Sequence, residues 1–340
     1  MNFRLVFSIP CLLLVPGLCP AQQEDTQALD QTAKAFIRQG DYNNAVLVLN
    51  NALKKDPKDL ECLKDLAFTY YLDRNFEKAL TVAKPIVERP DADVQSFQIL
   101  GMVYKATESG KECEKMYREG LKRFPRSGVL NNEYGEVLGT SNGVEAIKYW
   151  ERGIQADPNY SSNYYNASKY YYTKNNKIWC VLYSEIFVNL ESYSQRTLEM
   201  KDVLMEEYKK IFADADLFKN QGTRNAFESA FIAELGLHAS TVISGVDAES
   251  LTMLRSEFIL SWFGNPTIAF PYRLFDYHRQ LLKEGLFNAY NQWLFGAAQD
   301  QSKFQAWCNS HTDEYSRFTK FQGGRIFKLP EGQYYQTQAK

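Results

Sequence analysis

Val94-Gln-Ser-Phe-Gln-Ile-Leu-Gly-Met-Val-Tyr-Lys-Ala-Thr-Glu-Ser-Gly-Lys-Glu-Cys-Glu-Lys-Met-Tyr-Arg-Glu-Gly-Leu-Lys-Arg-Phe-Pro-Arg-Ser127 decides the fold. Its Phe97, Leu100-Gly101, Tyr104, Cys113, Tyr117, Gly120 and Pro125 return in kind on both sides at a period of about 34 residues. Upstream, Thr26 to Asp59 carries Ala33, Phe36, Gly40-Asp41-Tyr42, Ala45, Leu49, Ala52 and Pro57 in phase. Leu60 to Asp93 follows with Leu63, Leu66-Ala67, Tyr70, Phe76, Ala79 and Ile86; its closing Pro90 comes one place early, and Pro85 predicts a kink. Downstream, Gly128 to Tyr160 keeps Tyr134-Gly135, Leu138, Ala146, Trp150, Gly153 and Pro158 but is one residue short at Ser141-Asn142-Gly143. Ser161 to Leu190 keeps Tyr164, Ala167, Tyr171, Cys180 and Phe187 and loses the closing proline. Five such units exceed the roughly three needed to bury a continuous core.

This pattern of an aromatic, Leu-Gly, Tyr, two small slots and a closing Pro resembles the tetratricopeptide repeat (TPR) family. The resemblance implies an all-α fold in which each repeat is two antiparallel helices, stacked as a right-handed α-solenoid of about five helical hairpins over residues 22–193. Gly40 falls where the turn inside such a hairpin wants φ > 0. Cys113 and Cys180 occupy the slot where the family has Ala, so they are expected to be free, buried thiols; the state of Cys62 and Cys308 stays open. The family's usual work is to hold a segment of another protein in a concave groove lined by the first helix of each repeat. The corresponding positions here are Lys34 and Arg38; Lys64, Phe68 and Tyr71; Gln98, Met102 and Lys105; Asn132 and Glu136; and Tyr165, Lys169 and Tyr172. Bases interleaved with aromatics suit a protein or peptide partner carrying acidic and apolar side chains. The family's clamp for a C-terminal carboxylate wants Lys, Asn and Arg where this chain has Asp30, Lys34, Asp65, Gln95 and Ile99, which argues for an internal segment instead.

Beyond Leu190 the repeat phase fades while the 3.6-residue apolar period persists. Val203, Leu204, Tyr208 and Ile211 stripe one helix, and Phe227, Phe231 and Leu235 a second. Leu251, Leu254, Phe258 and Trp262 stripe a third that Gly264 and Pro266 end; Pro271 opens a fourth with Leu274, Leu281 and Leu282. Phe287, Tyr290, Leu294 and Ala297 mark a fifth, and Phe304, Cys308, His311, Tyr315 and Phe318 a sixth. Residues 194–322 are therefore expected to form an α-helical C-terminal region, and 323–340 an extended or loose tail. Through Trp179 to Glu191 and Phe287 to Gly296 the whole chain resembles uncharacterised secreted TPR-containing proteins of bacteria, a resemblance that implies no chemistry.

Arg4, an apolar run from Leu5 to Leu18 and Cys19-Pro20-Ala21 read as a signal peptide over residues 1–21, placing the mature chain in the periplasm or outside the cell. No later run is long and apolar enough to span a membrane. Lys+Arg 39 against Asp+Glu 41 lacks the basic excess of a nucleic-acid binder. His238, His278 and His311 are too far apart for a local metal motif, and no nucleophile elbow or phosphate loop is present. No cofactor, metal or catalytic residue is expected; His311 reads as a core histidine, His238 as following a helix end and capping its carbonyls, and Arg273 with Asp276 as an ion pair. The reading is an exported TPR scaffold or adaptor. The alternative is a helical envelope enzyme or glycan-binding module, with its site in the C-terminal region. Convergent titratable groups around His278 would favour the first and exposed Trp and Tyr the second, although most of Trp150, Trp179, Trp262, Trp293 and Trp307 fall on apolar stripes.

Overall fold

The computed structural model describes residues 20–219, 224–265 and 268–336, so the signal-peptide reading, Pro266 and the last four residues lie almost wholly outside them. Every regular element there is helical. The chain divides into two compact units, up to Gly110 and from Lys111. The first holds α1 (Pro20–Gln39), α2 (Tyr42–Lys55), α3 (Leu60–Leu72), α4 (Phe76–Glu88) and α5 (Val94–Ala106). The second begins with α6 (Gly110–Arg123), α7 (Gly128–Gly139), α8 (Gly143–Ala156), α9 (Ser161–Thr173) and α10 (Lys177–Leu190).

These ten helices fall where the period puts them, and the local chemistry explains the boundaries. Four of the five second helices are opened by a side chain that accepts their third amide: Asp41 for α2, Asn75 for α4, Asn142 for α8 and Asn176 for α10. Just before three of these caps the chain is left-handed, at Gly40 (φ 75°), Arg74 (59°) and Asn175 (54°), and Glu108 (54°) holds the equivalent place before α6. The fourth hairpin, one residue short at this turn, has no left-handed residue among those described. α4 runs through Pro85, on its exposed side. Close packing within hairpins needs small residues: a Cβ on Gly135 of α7 would clash with the Trp150 indole. Ala33, Leu49, Ala52, Cys62 and Leu66 form one core cluster of the first unit. All four described cysteines are free; Cys62, Cys113 and Cys180 are buried and Cys308 half-buried.

The second unit continues with α11 (Gln195–Ala213), α12 (Ala215–Lys219), α13 (Ala226–Leu237), α14 (Ala248–Gly264) and α15 (Arg273–Lys283). Then come α16 (Phe287–Asn291), a π segment (Gln292–Gly296), α17 (Ala297–Gln299), α18 (Gln301–Ser310) and α19 (Thr312–Gly323). The apolar stripes are buried for the most part, but the fifth predicted helix is interrupted by the π turn and the sixth is broken at His311. His311 is exposed, not a core residue, and stacks flat on Trp307 at 4.6 Å. Arg273 does not pair with Asp276: its Nε donates to the Lys328 carbonyl (3.2 Å), and Asp276 takes Arg279 instead (2.8 Å). The tail is extended but held, not loose. Asn159 exchanges two hydrogen bonds with the backbone of Leu329 (3.0 and 2.8 Å), and Tyr335 stacks on Phe227 at 4.7 Å.

Around α10 the second unit is built. All its residues but Leu190 are buried, as a helix apolar on every side requires. Its one acid inside the C-terminal core, Glu185, sits in a cluster with five other polar side chains. Its Oε1 accepts from Arg255 of α14, from His278 Nε2 of α15 (2.7 Å) and from the Tyr290 hydroxyl of α16 (2.8 Å), while Asn189 donates to that hydroxyl (2.8 Å). Arg255 also donates to Asn291. Burial alone would push the Glu185 carboxyl up; Arg255 and His278 outweigh it and hold it at about 2. Burial pulls His278 down, against the opposing pull of Glu185. On α11, burial pulls the Lys201 ammonium down to about 7, and it lies 3.7 Å from the Trp293 ring centre in the π segment.

Two outcomes follow from these contacts. Gly40→Val forces a β-branched residue into the left-handed region and is expected to cost roughly 1–2 kcal/mol in urea denaturation, whereas Glu108→Gly should not destabilise. For Glu185 the folded value lies below the free value of 4.5, so its contribution is present above about 4.5 and lost as the pH falls toward 2. Glu185→Gln should therefore flatten the acid limb of the stability curve, and Arg255→Met, which strands the carboxylate, should cost about 3–5 kcal/mol at neutral pH.

Candidate functional site

The first helices of the repeats pack side by side in two runs, α1–α3–α5 in the first unit and α7–α9–α11 in the second. In the first run the expected groove cations divide sharply. Lys34 sits 2.6 Å from Asp30 and 3.3 Å from Asp65; burial lowers its pKa, and the two carboxylates more than restore it. Burial and Asp30 push Asp65 up to about 6. Carboxylates thus stand where a carboxylate clamp would need donors. Lys64 is 1% exposed, its ammonium 2.6 Å from both Glu61 and Asp93, the cap of α5. That position ties α3 to α5 and presents no charge to a groove. Arg38 and Lys105 are exposed, while Gln98 and Met102 are half-buried. Phe68 and Tyr71 are half-buried and nearly parallel, their centres 6.2 Å apart, with Phe76 6.0 Å beyond Tyr71.

In the second run the candidates are drawn into bonds between neighbouring helices. Asn132, 2% exposed, donates to Glu136 (2.9 Å) and accepts from Asn166 (2.9 Å). Tyr165 donates to Glu199 (2.6 Å), and Lys169 bridges the same two groups at 3.1 and 2.9 Å. Tyr172 donates to Glu206 (2.8 Å) beneath Lys210, whose ammonium lies 4.2 Å from the ring centre. Asn132 and Asn166, Tyr165 and Glu199, and Tyr172 and Glu206 are each 34 residues apart. The register therefore continues into α11, one helix further than the apolar pattern suggests. Sequence reasoning missed Glu199, Glu206 and Lys210; counting one more period from Tyr165 and Tyr172 finds both acids.

Titratable groups do converge at His278, but Glu185 and Arg255 are each 2% exposed and His278 3%. The void beside them, about 10 Å³, holds one water at most. A substrate has no room there, and the cluster is a core ion network. Trp150, Trp179, Trp262 and Trp293 are buried, and Trp307 is half-buried with one face against His311. His238 receives no carbonyl of α13 on its ring, which meets Ser261 (3.0 Å) and Glu257 (3.2 Å). Among the described residues no group of three or more His, Cys, Asp or Glu is placed to hold a metal ion, and no helix is long and apolar enough to cross a membrane.

Residues 36–98 match the tetratricopeptide repeat family model. No curated protein matches the chain. Solved structures similar to it include a thermophilic TPR protein of Thermus thermophilus, at 15% identity over 53% of this chain and 99% of that one, with a TM-score of 0.44. PilF of Pseudomonas aeruginosa is 16% identical over 58% and 88%, with a TM-score of 0.45. YrrB, described as a TPR protein with an unusual peptide-binding site, is 16% identical over 54% and 94%, with a TM-score of 0.38. At such identities and TM-scores no ligand or activity passes from them to this chain. Period, helix pairs and matched segment agree: residues 36–98 are tetratricopeptide repeats, and the helices after them keep the same register through α11.

Proposed function

We propose that the chain is an exported TPR scaffold or adaptor that holds an extended segment of a protein partner against the first helices of its repeats. The observation that carries the reading is the half-buried Phe68–Tyr71 pair on α3, the helix that packs between α1 and α5. Flat rings left partly open between two flanking helices are what an apolar anchor residue of a peptide fills. Met102 is half-buried on α5, and Arg38 and Lys105 are exposed on either side, which favours acidic residues around the anchor. The apolar contact carries most of the affinity, and the exposed Arg38 and Lys105 tune the rate of encounter.

A peptide library selected against the full chain should yield sequences with an aromatic or leucine anchor flanked by acids. Phe68→Ala with Tyr71→Ala should weaken the selected peptide about tenfold or more, with circular dichroism confirming the fold. Arg38→Glu with Lys105→Glu should slow association while sparing the fold. Affinity unchanged in both variants would place the segment elsewhere. Export is tested separately: the N-terminus of the product released from a bacterial envelope should begin at Gln22, and a product still starting at Met1 in the cytoplasm would end that part of the reading.

A further inference from the structure

The second unit contains a cleft of about 880 Å³, lined by none of the first-helix groove positions, where the end of α9 meets the starts of α10 and α13 and the C-terminal tail. That volume lies in the range of small-molecule sites, roughly 300–1,000 Å³. Five basic side chains line it: Lys148 and Arg152 from α8, Lys174 just beyond α9, Lys177 in the first turn of α10, and Arg224 just before α13. The two acids in the lining are both engaged inward. Glu151, 8% exposed, accepts the hydroxyls of Tyr171 (2.6 Å) and Tyr183 (2.8 Å). Glu228 accepts the Trp179 indole and the Asn225 amide (3.1 Å).

The cations are less well matched. Lys177 has Asp214 at 3.0 Å and Lys148 has Glu145, but Arg152 and Lys174 rest on the rings of Tyr149 and Tyr170 and have no ion pair among the described residues. Arg224 spends Nη2 on the Leu217 carbonyl, and its Nη1 is buried with no hydrogen-bond partner among the described residues. A buried guanidinium donor left unmatched is costly, and the side chain that carries it lines the cleft. Two helix N-termini, those of α10 and α13, open at the same place and add their positive ends. The half-buried Tyr170 and Tyr334 give the cleft flat walls.

We propose that this cleft binds a phosphate-bearing small molecule of nucleotide size, its phosphates held by Arg224, Arg152 and Lys174. The site goes beyond the groove reading and does not depend on it. The test is calorimetric titration of the full chain with inorganic phosphate, pyrophosphate and adenosine diphosphate, at low and at physiological salt. Pyrophosphate and adenosine diphosphate should bind, more weakly as salt rises. Arg152→Gln with Lys174→Gln should weaken them about tenfold or more, and Arg224→Gln, checked by thermal melting, should do the same. Arg38→Glu with Lys105→Glu should leave them unchanged. No heat from either probe at millimolar concentration overturns the proposal, as does affinity indifferent to the Arg152 and Lys174 changes. Binding of a polyglutamate peptide but of neither phosphate probe overturns it too, in favour of an acidic-peptide site.

Discussion

The second unit depends on burying one helix on every side. α10 is the second helix of the fifth repeat, and a repeat helix ordinarily leaves one face to water. Here α11 and the C-terminal helices close over that face, and Glu185 has to be accommodated within the apolar interior. A buried carboxylate is tolerable only with strong partners. Arg255, His278 and Tyr290 provide them from three different helices, so one acid fixes the mutual placement of α10, α14, α15 and α16. The C-terminal helices are in this sense the outer wall of the last repeat.

The repeats were legible because their constraints are local. A small residue at a close crossing, a left-handed residue before an Asp or Asn cap, and an aromatic in the wedge recur at a fixed interval, and each leaves a residue-level trace. Gly40 could be read directly; Arg74, Glu108 and Asn175 adopt the same backbone without the residue that would advertise it. The C-terminal helices were legible as helices but not as an arrangement. His278 is buried and His311 exposed because apolar spacing locates a stripe without saying which stripe is covered. The pairing of Arg273 with Lys328 rather than Asp276 depends on where the tail returns, which no local pattern encodes.

The candidate groove was legible as positions and much less as chemistry. Lys34, Lys64 and Lys169 look available in a linear reading, yet each meets a carboxylate brought by a neighbouring helix or its cap. A near-neutral chain with evenly mixed charges finds such internal partners easily. The places where matching fails are therefore the informative ones. Phe68 and Tyr71 remain partly open in the first unit, and Arg152, Lys174 and Arg224 have no ion pair among the described residues in the second.

The tail's return to Asn159 has a kinetic side. That pair joins residues 170 positions apart, and Tyr335 on Phe227 closes another long loop. Hairpins with contacts inside one repeat need only their two helices, whereas contacts of this span wait for the segment around Leu329 and Tyr335. Until then α10 carries its apolar surface uncovered. The second unit therefore cannot finish folding before the segment around Leu329 and Tyr335 is present, and that segment acts as its latch.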